Sequence, residues 1–184
     1  HGHNTDWWGF AESFRRGMWD VPMDAAVQLG AGGAGAAVAY AMLKLGLASL
    51  EIFDIDASRT ASLVAKMAPL FPSQHVAAVE SLPDSMRRAS GLLHATTTGM
   101  AHNPGLPLPR DLLKPQHWVA EIVYFPLETE LLRHARSLGC RTLDGGGMAV
   151  FQAVDAFRLF TGITPDAHGG NMDTPELRAG VTAY

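Results

Sequence analysis

Short apolar runs alternate with longer stretches of helical periodicity along most of the chain. Phe10, Phe14 and Met18 recur at helical spacing behind Thr5 and Asp6, either of which can cap a helix, and Gly17 and Pro22 mark its end. Residues 25–29 form a brief apolar run without alternation, as suits a central parallel strand covered on both faces. The pattern then predicts helices over 36–45, 57–68, 82–89, 128–138 and 148–161. Between them it predicts strands over 49–54, 76–79, 91–95, 118–123 and 141–143. Residues 101–109 hold three prolines and read as an irregular loop. Such alternation implies an α/β fold: a Rossmann-like doubly wound parallel sheet of about six strands with helices on both faces.

The turn after the first strand carries candidate chemistry. Gly30, Gly32 and Gly35 match G-x-G-x-x-G, with Ala31, Gly33 and Ala34 between them. The first glycine permits a tight strand-to-helix turn, the second lets backbone approach a pyrophosphate, and the third lets helix and strand pack closely. The phosphates then meet the free N–H groups and positive end of the following helix. Asp54 ends the next strand at about the 20-residue spacing of a ribose-binding carboxylate. A carboxylate there accepts from the ribose hydroxyls of NAD and repels the extra phosphate of NADP. Ile55 adds no charge, Asp56 reads as the cap of the next helix, and Arg59 is the local cation that partly offsets the two acids. The expected cofactor is therefore NAD, with NADP disfavoured.

Composition narrows the classes. Nearly half of the 184 residues are hydrophobic, and the net charge is −4, so neither disorder nor a phosphate-neutralising nucleic-acid surface is expected. The apolar runs are too short and interrupted for a membrane span. The lone Cys140 excludes an internal disulfide and fits a reducing cytoplasm; a buried core thiol is favoured over a nucleophile. Trp7 and Trp8, being adjacent, point different ways. The chain begins His1-Gly2-His3 with neither a starting methionine nor a signal-peptide pattern, and both histidines read as loop residues rather than metal ligands.

Six ordered blocks resemble the shikimate dehydrogenase family, especially its quinate/shikimate dehydrogenase branch. They are Asn4-Thr5-Asp6 with Gly9; residues 30–35; Ala95-Thr96 with Gly99-Met100; Val123-Tyr124 with Pro126, Thr129 and Leu131-Leu132; Asp144-Gly145 with Met148; and Gln152-Ala153 with Ala156-Phe157. The resemblance implies reversible hydride transfer between NAD and a ring hydroxyl of shikimate or quinate. It implies Asp6 as the catalytic aspartate, which as an ordinary helix residue reads as a cap. It places Tyr124 and Gln152 at the substrate, where a core tyrosine and a structural amide are the alternatives. Thr96, Ile122, Gly145 and Met148 map to positions lining the nicotinamide and its ribose.

The family carries an N-terminal substrate domain bearing a catalytic lysine, and Lys44, Lys66 and Lys114 do not match its context. The chain is thus expected to be a fragment. Residues 1–20 would be a hinge helix from the missing domain, 21–164 the NAD(P)-binding domain and 165–184 a polar tail. Alone it is expected to bind NAD without turnover. Two departures stand out: Asp54-Ile55-Asp56 replaces the Asn-Arg-Thr of NADP-dependent relatives, and His94 replaces the usual Asn. His94 reads as a satisfied core or loop histidine. An aminoshikimate-type paralogue and a non-catalytic nucleotide sensor remain alternatives.

Overall fold

A computed structural model describes residues 5–161. The His1–Asn4 segment and the tail over 165–184 lie outside the described residues. The chain order is α1 (Asp6–Gly17), β1 (Ala25–Leu29), α2 (Gly33–Lys44), β2 (Ser49–Phe53), α3 (Ala57–Met67), β3 (His75–Ala78) and α4 (Leu82–Arg88). Then follow β4 (Gly91–His94), β5 (Trp118–Glu121), α5 (Glu130–Ser137), β6 (Arg141–Leu143) and α6 (Gly146–Thr161). The strands lie in the order β3-β2-β1-β4-β5-β6, and every pair is parallel. Chain direction across the sheet therefore reverses between β1 and β4. That switch point is where open α/β sheets form a crevice at the carboxyl ends of their strands.

Side chains alternate across the sheet and split the core in two. Ala26, Leu93, Trp118 and Ala120 face one layer, with Phe10, Phe14, Val38, Met42 and Met148 from the helices. Val27, Leu29, Leu92 and Val119 face the other, with Met86, Leu131, Leu132 and Cys140. Gly91 and Trp118 are register partners, and a Cβ on Gly91 would sit 2.0 Å from the indole. The missing side chain makes room for the ring, whose Nε1 donates to the Pro22 carbonyl at 2.9 Å and whose edge meets Phe14. This fixes α1 to the sheet. Its other anchor is Gly9, where a Cβ would come within 2.7 Å of Gln152 N and 2.8 Å of the Met148 carbonyl. Only a glycine lets α1 lie this close to α6.

Several boundaries differ from expectation for local reasons. Helix α2 starts at Gly33, not residue 36, because the glycine turn itself coils into the first turn behind the N-cap Gly32. Helix α5 starts at Glu130, not 128, because the Thr129 hydroxyl caps it by accepting from Leu132 N. Strands β4 and β5 stop at His94 and Glu121, one and two residues early. Thr5 occupies the N-cap of α1 without a side-chain bond, and Asp6 is the first helical residue. Trp7 and Trp8 are both half-buried, edge-on to Tyr40 and Phe151.

Candidate functional site

A cleft of about 420 Å³ opens at the carboxyl ends of β1, β2 and β4. Gly30, Gly32, Gly33, Ala34, Asp54, Ile55, Arg59 and Thr96 all line it. The glycine turn shows why each position is small. Gly30 has φ +102°, a left-handed conformation that favours glycine, and a Cβ there would lie 2.4 Å from the Ala95 carbonyl. At Gly35 a Cβ would lie 2.3 Å from the Gly30 carbonyl. At Gly32 and Gly33 it would meet nothing within 4 Å. The first and third glycines are thus demanded by the fold, and the middle pair borders open space. No side chain caps α2, so its first N–H groups are left for a ligand.

Asp54 is built into this turn. Its Oδ2 accepts from Ala31 N at 2.8 Å and its Oδ1 from Asp56 N at 2.9 Å. Asp56 caps α3 as expected, accepting from the Ser58 amide and hydroxyl, and that hydroxyl first of all holds its carboxyl below the usual range. Arg59 reaches Asp56 at 3.4 Å and lines both the cleft and a shallower hollow between α2 and α3 that also contains Ala31 and Lys66. Ile55 is 98% exposed at the cleft mouth.

The remaining expected residues lie outside the cleft lining. Ile122 and Gly145 meet backbone to backbone, where a Cβ on Gly145 would be 2.3 Å from the Ile122 carbonyl. Met148 is buried in the core under α1. Gln152 is half-buried on α6 beside Gly9, one turn along α1 from Asp6. Tyr124 is 49% exposed, so the alternative of a core tyrosine is excluded. Among the described residues no cluster of three or more His, Cys, Asp or Glu side chains is placed to hold a metal, and no helix is long and apolar enough to cross a membrane.

Some contributors were not visible in the sequence. Thr97 and Thr98, just after β4, and Asn103 and Pro107, from the irregular loop, complete the cleft wall. Gln28, fully buried in β1, donates through Nε2 to the carbonyls of Gly30 at 2.8 Å and Gly35 at 2.9 Å. A polar residue inside an otherwise apolar strand was the available signal. His94 is buried and bonded through both ring nitrogens, as a satisfied histidine should be. Cys140 is buried too; its thiol donates to the Lys114 carbonyl, and burial pushes its pKa up, away from nucleophilic use.

The parallel sheet, its strand order and the glycine turn at the switch point define a Rossmann-type fold. No family model matches the chain. It is 56% identical over 184 residues to a shikimate dehydrogenase (NADP(+)) of Streptomyces avermitilis, a match covering 99% of the chain and 63% of that relative. It is 45% identical over 167 residues to a quinate/shikimate dehydrogenase (NAD(+)) of Corynebacterium glutamicum, covering 90% of the chain and 59% of the relative. The solved quinate dehydrogenase from Corynebacterium glutamicum in complex with NAD superposes with a TM-score of 0.86 at 45% identity, again over 90% of this chain and 59% of that one. The chain belongs to the shikimate/quinate dehydrogenase family and spans roughly three-fifths of these relatives' length.

Proposed function

We propose that the chain is the NAD-binding part of a shikimate/quinate 3-dehydrogenase that works with NAD in the cytoplasm. The observation that carries this reading is the convergence, in one cleft, of an open glycine turn, an uncapped α2 N-terminus and Asp54. Residues 30–35 cradle the pyrophosphate; the N–H groups at the start of α2 meet it, since those of Gly30 and Ala31 already donate to the Phe53 carbonyl and to Asp54. Asp54 offers the ribose its remaining acceptor positions, since a carboxylate has about four and the backbone takes two. Its charge disfavours a 2′-phosphate, and Arg59, already paired to Asp56, offsets it only in part. The relatives differ on this point: the Streptomyces protein is named for NADP and the Corynebacterium proteins for NAD. Asp54-Ile55-Asp56 supports the NAD reading here.

Bound in the cleft, NAD supplies a hydride acceptor or donor. On the substrate side, Asp6 accepts a hydrogen bond from the reacting hydroxyl and orients a lysine carried by a preceding substrate domain. Tyr124 and Gln152 bind the hydroxyls of the ring acid. The close approach of α1 and α6 at Gly9 supports this assignment, because it holds the Asp6 turn near Gln152. Thr96, Ile122, Gly145 and Met148 serve the nicotinamide end. In domain terms, 1–20 is the hinge helix, 21–164 the cofactor domain and 165–184 a tail.

The test is a steady-state assay of the full-length parent with NAD and NADP against quinate, shikimate and aminoshikimate. Turnover of quinate or shikimate with NAD is expected. Faster reduction of NADP sinks the Asp54 argument. Turnover of aminoshikimate alone indicates a divergent paralogue, and NAD binding without any turnover indicates a sensor.

A further inference from the structure

A connected chain of polar side chains is buried beneath the cleft. His94 and Glu121 end adjacent strands as register partners, and each is 1% exposed. His94 Nδ1 lies 2.6 Å from Glu121 Oε1, and the buried Thr129 hydroxyl donates to Glu121 Oε2 at 2.5 Å. On its other side, His94 Nε2 lies 2.6 Å from Thr96 Oγ1, which also accepts from Thr98 N at 3.1 Å. Gly99, at φ +94°, folds the turn back over this set; a Cβ there would press on Thr129 at 3.2 Å. Replacing a buried polar set with well-packed apolar groups is often neutral or stabilising, so stability alone does not call for this one. Its outer end is Thr96, which lines the cleft.

We infer that His94 and Glu121 are positioning residues that make Thr96 a hydrogen-bond acceptor toward the cleft, selecting a ligand group that donates. A carboxylate only accepts, so His94 donates its Nδ1–H to Glu121. In the neutral ring Nε2 then holds a lone pair, and the Thr96 hydroxyl donates to it. The Thr96 oxygen has two lone pairs, and the Thr98 amide uses one. What it turns to a ligand is the other. A ribose hydroxyl or a carboxamide N–H satisfies that acceptor; a phosphate oxygen does not. The inference rests on the reading that the cleft holds a dinucleotide. His94 itself touches no ligand: both of its nitrogens are engaged.

Calorimetric titration of the chain with NAD tests this through Thr96→Val, His94→Asn and the double variant. Asparagine places its amide N–H near the position of Nδ1, so it keeps a bond to Glu121 and presents nothing to Thr96. Each single variant is expected to weaken NAD binding about five- to tenfold, with the double variant no weaker than Thr96→Val. Losses that multiply, or a His94→Asn protein that binds as the parent does, overturn the inference. Nitrogen-15 shifts of His94 in the unaltered protein supply a check that needs no variant: a proton on Nδ1 alone is expected, and one on Nε2 overturns it. An analogue with acetyl in place of the carboxamide separates the two donors. If it still loses affinity in Thr96→Val, the ribose hydroxyl is the partner; if not, the carboxamide is. Failure of the unaltered chain to bind NAD would instead overturn the cofactor reading itself.

Discussion

Gln28 and Asp54 hold opposite ends of one peptide group. Gln28 Nε2 donates to the Gly30 carbonyl, and Asp54 accepts from the Ala31 amide of the same peptide plane, each at 2.8 Å. The peptide lies in the turn that faces the proposed pyrophosphate. Its orientation is set before any ligand arrives, which lowers the ordering cost of binding. Asp54 is therefore both a wall of the cleft and a strut of the turn.

The first consequence concerns Gln28. Methionine has nearly the same volume but cannot donate. Gln28→Met leaves the buried Gly30 carbonyl without its donor, at a cost of about 1–3 kcal/mol that removal of the unpartnered Gln28 Oε1 offsets only in part. Urea denaturation is expected to show a lower midpoint with an unchanged m-value, and NAD titration a weaker affinity.

Asp54 separates its two roles by substitution. Asparagine keeps one oxygen for the Ala31 amide but loses the charge and the bond from Asp56 N. Asp54→Asn is expected to fold with a slightly lowered melting temperature and to shift relative affinity toward NADP by tenfold or more, about 1.4 kcal/mol. Asp54→Ala removes the strut as well, so both dinucleotides should bind more weakly and the melting temperature should fall. Competition titrations with NAD and NADP on both variants check this.

Gly9 tests the seam between α1 and α6. A Cβ there meets backbone atoms, which cannot rotate away, so Gly9→Ala is expected to destabilise by about 1–3 kcal/mol. In the full-length parent, turnover should fall more than NAD binding, because the seam carries Asp6 and Gln152 rather than the glycine turn.

His117 gives stability a pH dependence. It is buried; Nε2 donates to the Met86 carbonyl at 3.0 Å and Nδ1 accepts from Lys114 N at 3.0 Å. Desolvation by burial lowers its pKa, although its backbone hydrogen bonds oppose the shift. The unfolded chain thus binds the proton more readily than the folded one. Stability should be fully present above about pH 6.5, the ordinary histidine value, and decline as pH falls toward the lowered folded value. Thermal melts from pH 8 to 5.5 are expected to show this slope, and His117→Gln to flatten it. Glu51 and Asp24 have lowered pKa values and lose their stabilising contribution only at more acidic pH, so they do not account for the same window.

The alternation of apolar runs and helical stripes was enough to read the doubly wound sheet, and the Asp56 cap was legible because capping is local. The start of α2 is not legible in the sequence, because glycines signal a loop when they also form the helix's first turn. Spacing points Asp54 to the ribose alone; its bond to Ala31 spans 23 residues and exists only once β1 and β2 are in register. His94 reads as a satisfied histidine, yet its partner Glu121 sits 27 residues on; a charged residue in an apolar strand signals a buried polar bond but not which side chain makes it. The cleft wall at Thr97, Thr98, Asn103 and Pro107 is not legible because segments outside helices and strands carry no periodicity.

The most direct test of the central claim is calorimetric titration of the chain with NAD and with NADP under identical buffer and salt. A one-to-one NAD isotherm is expected, with NADP at least tenfold weaker. NADP binding as tightly as NAD, or neither binding, would contradict a cleft built around Asp54 for NAD.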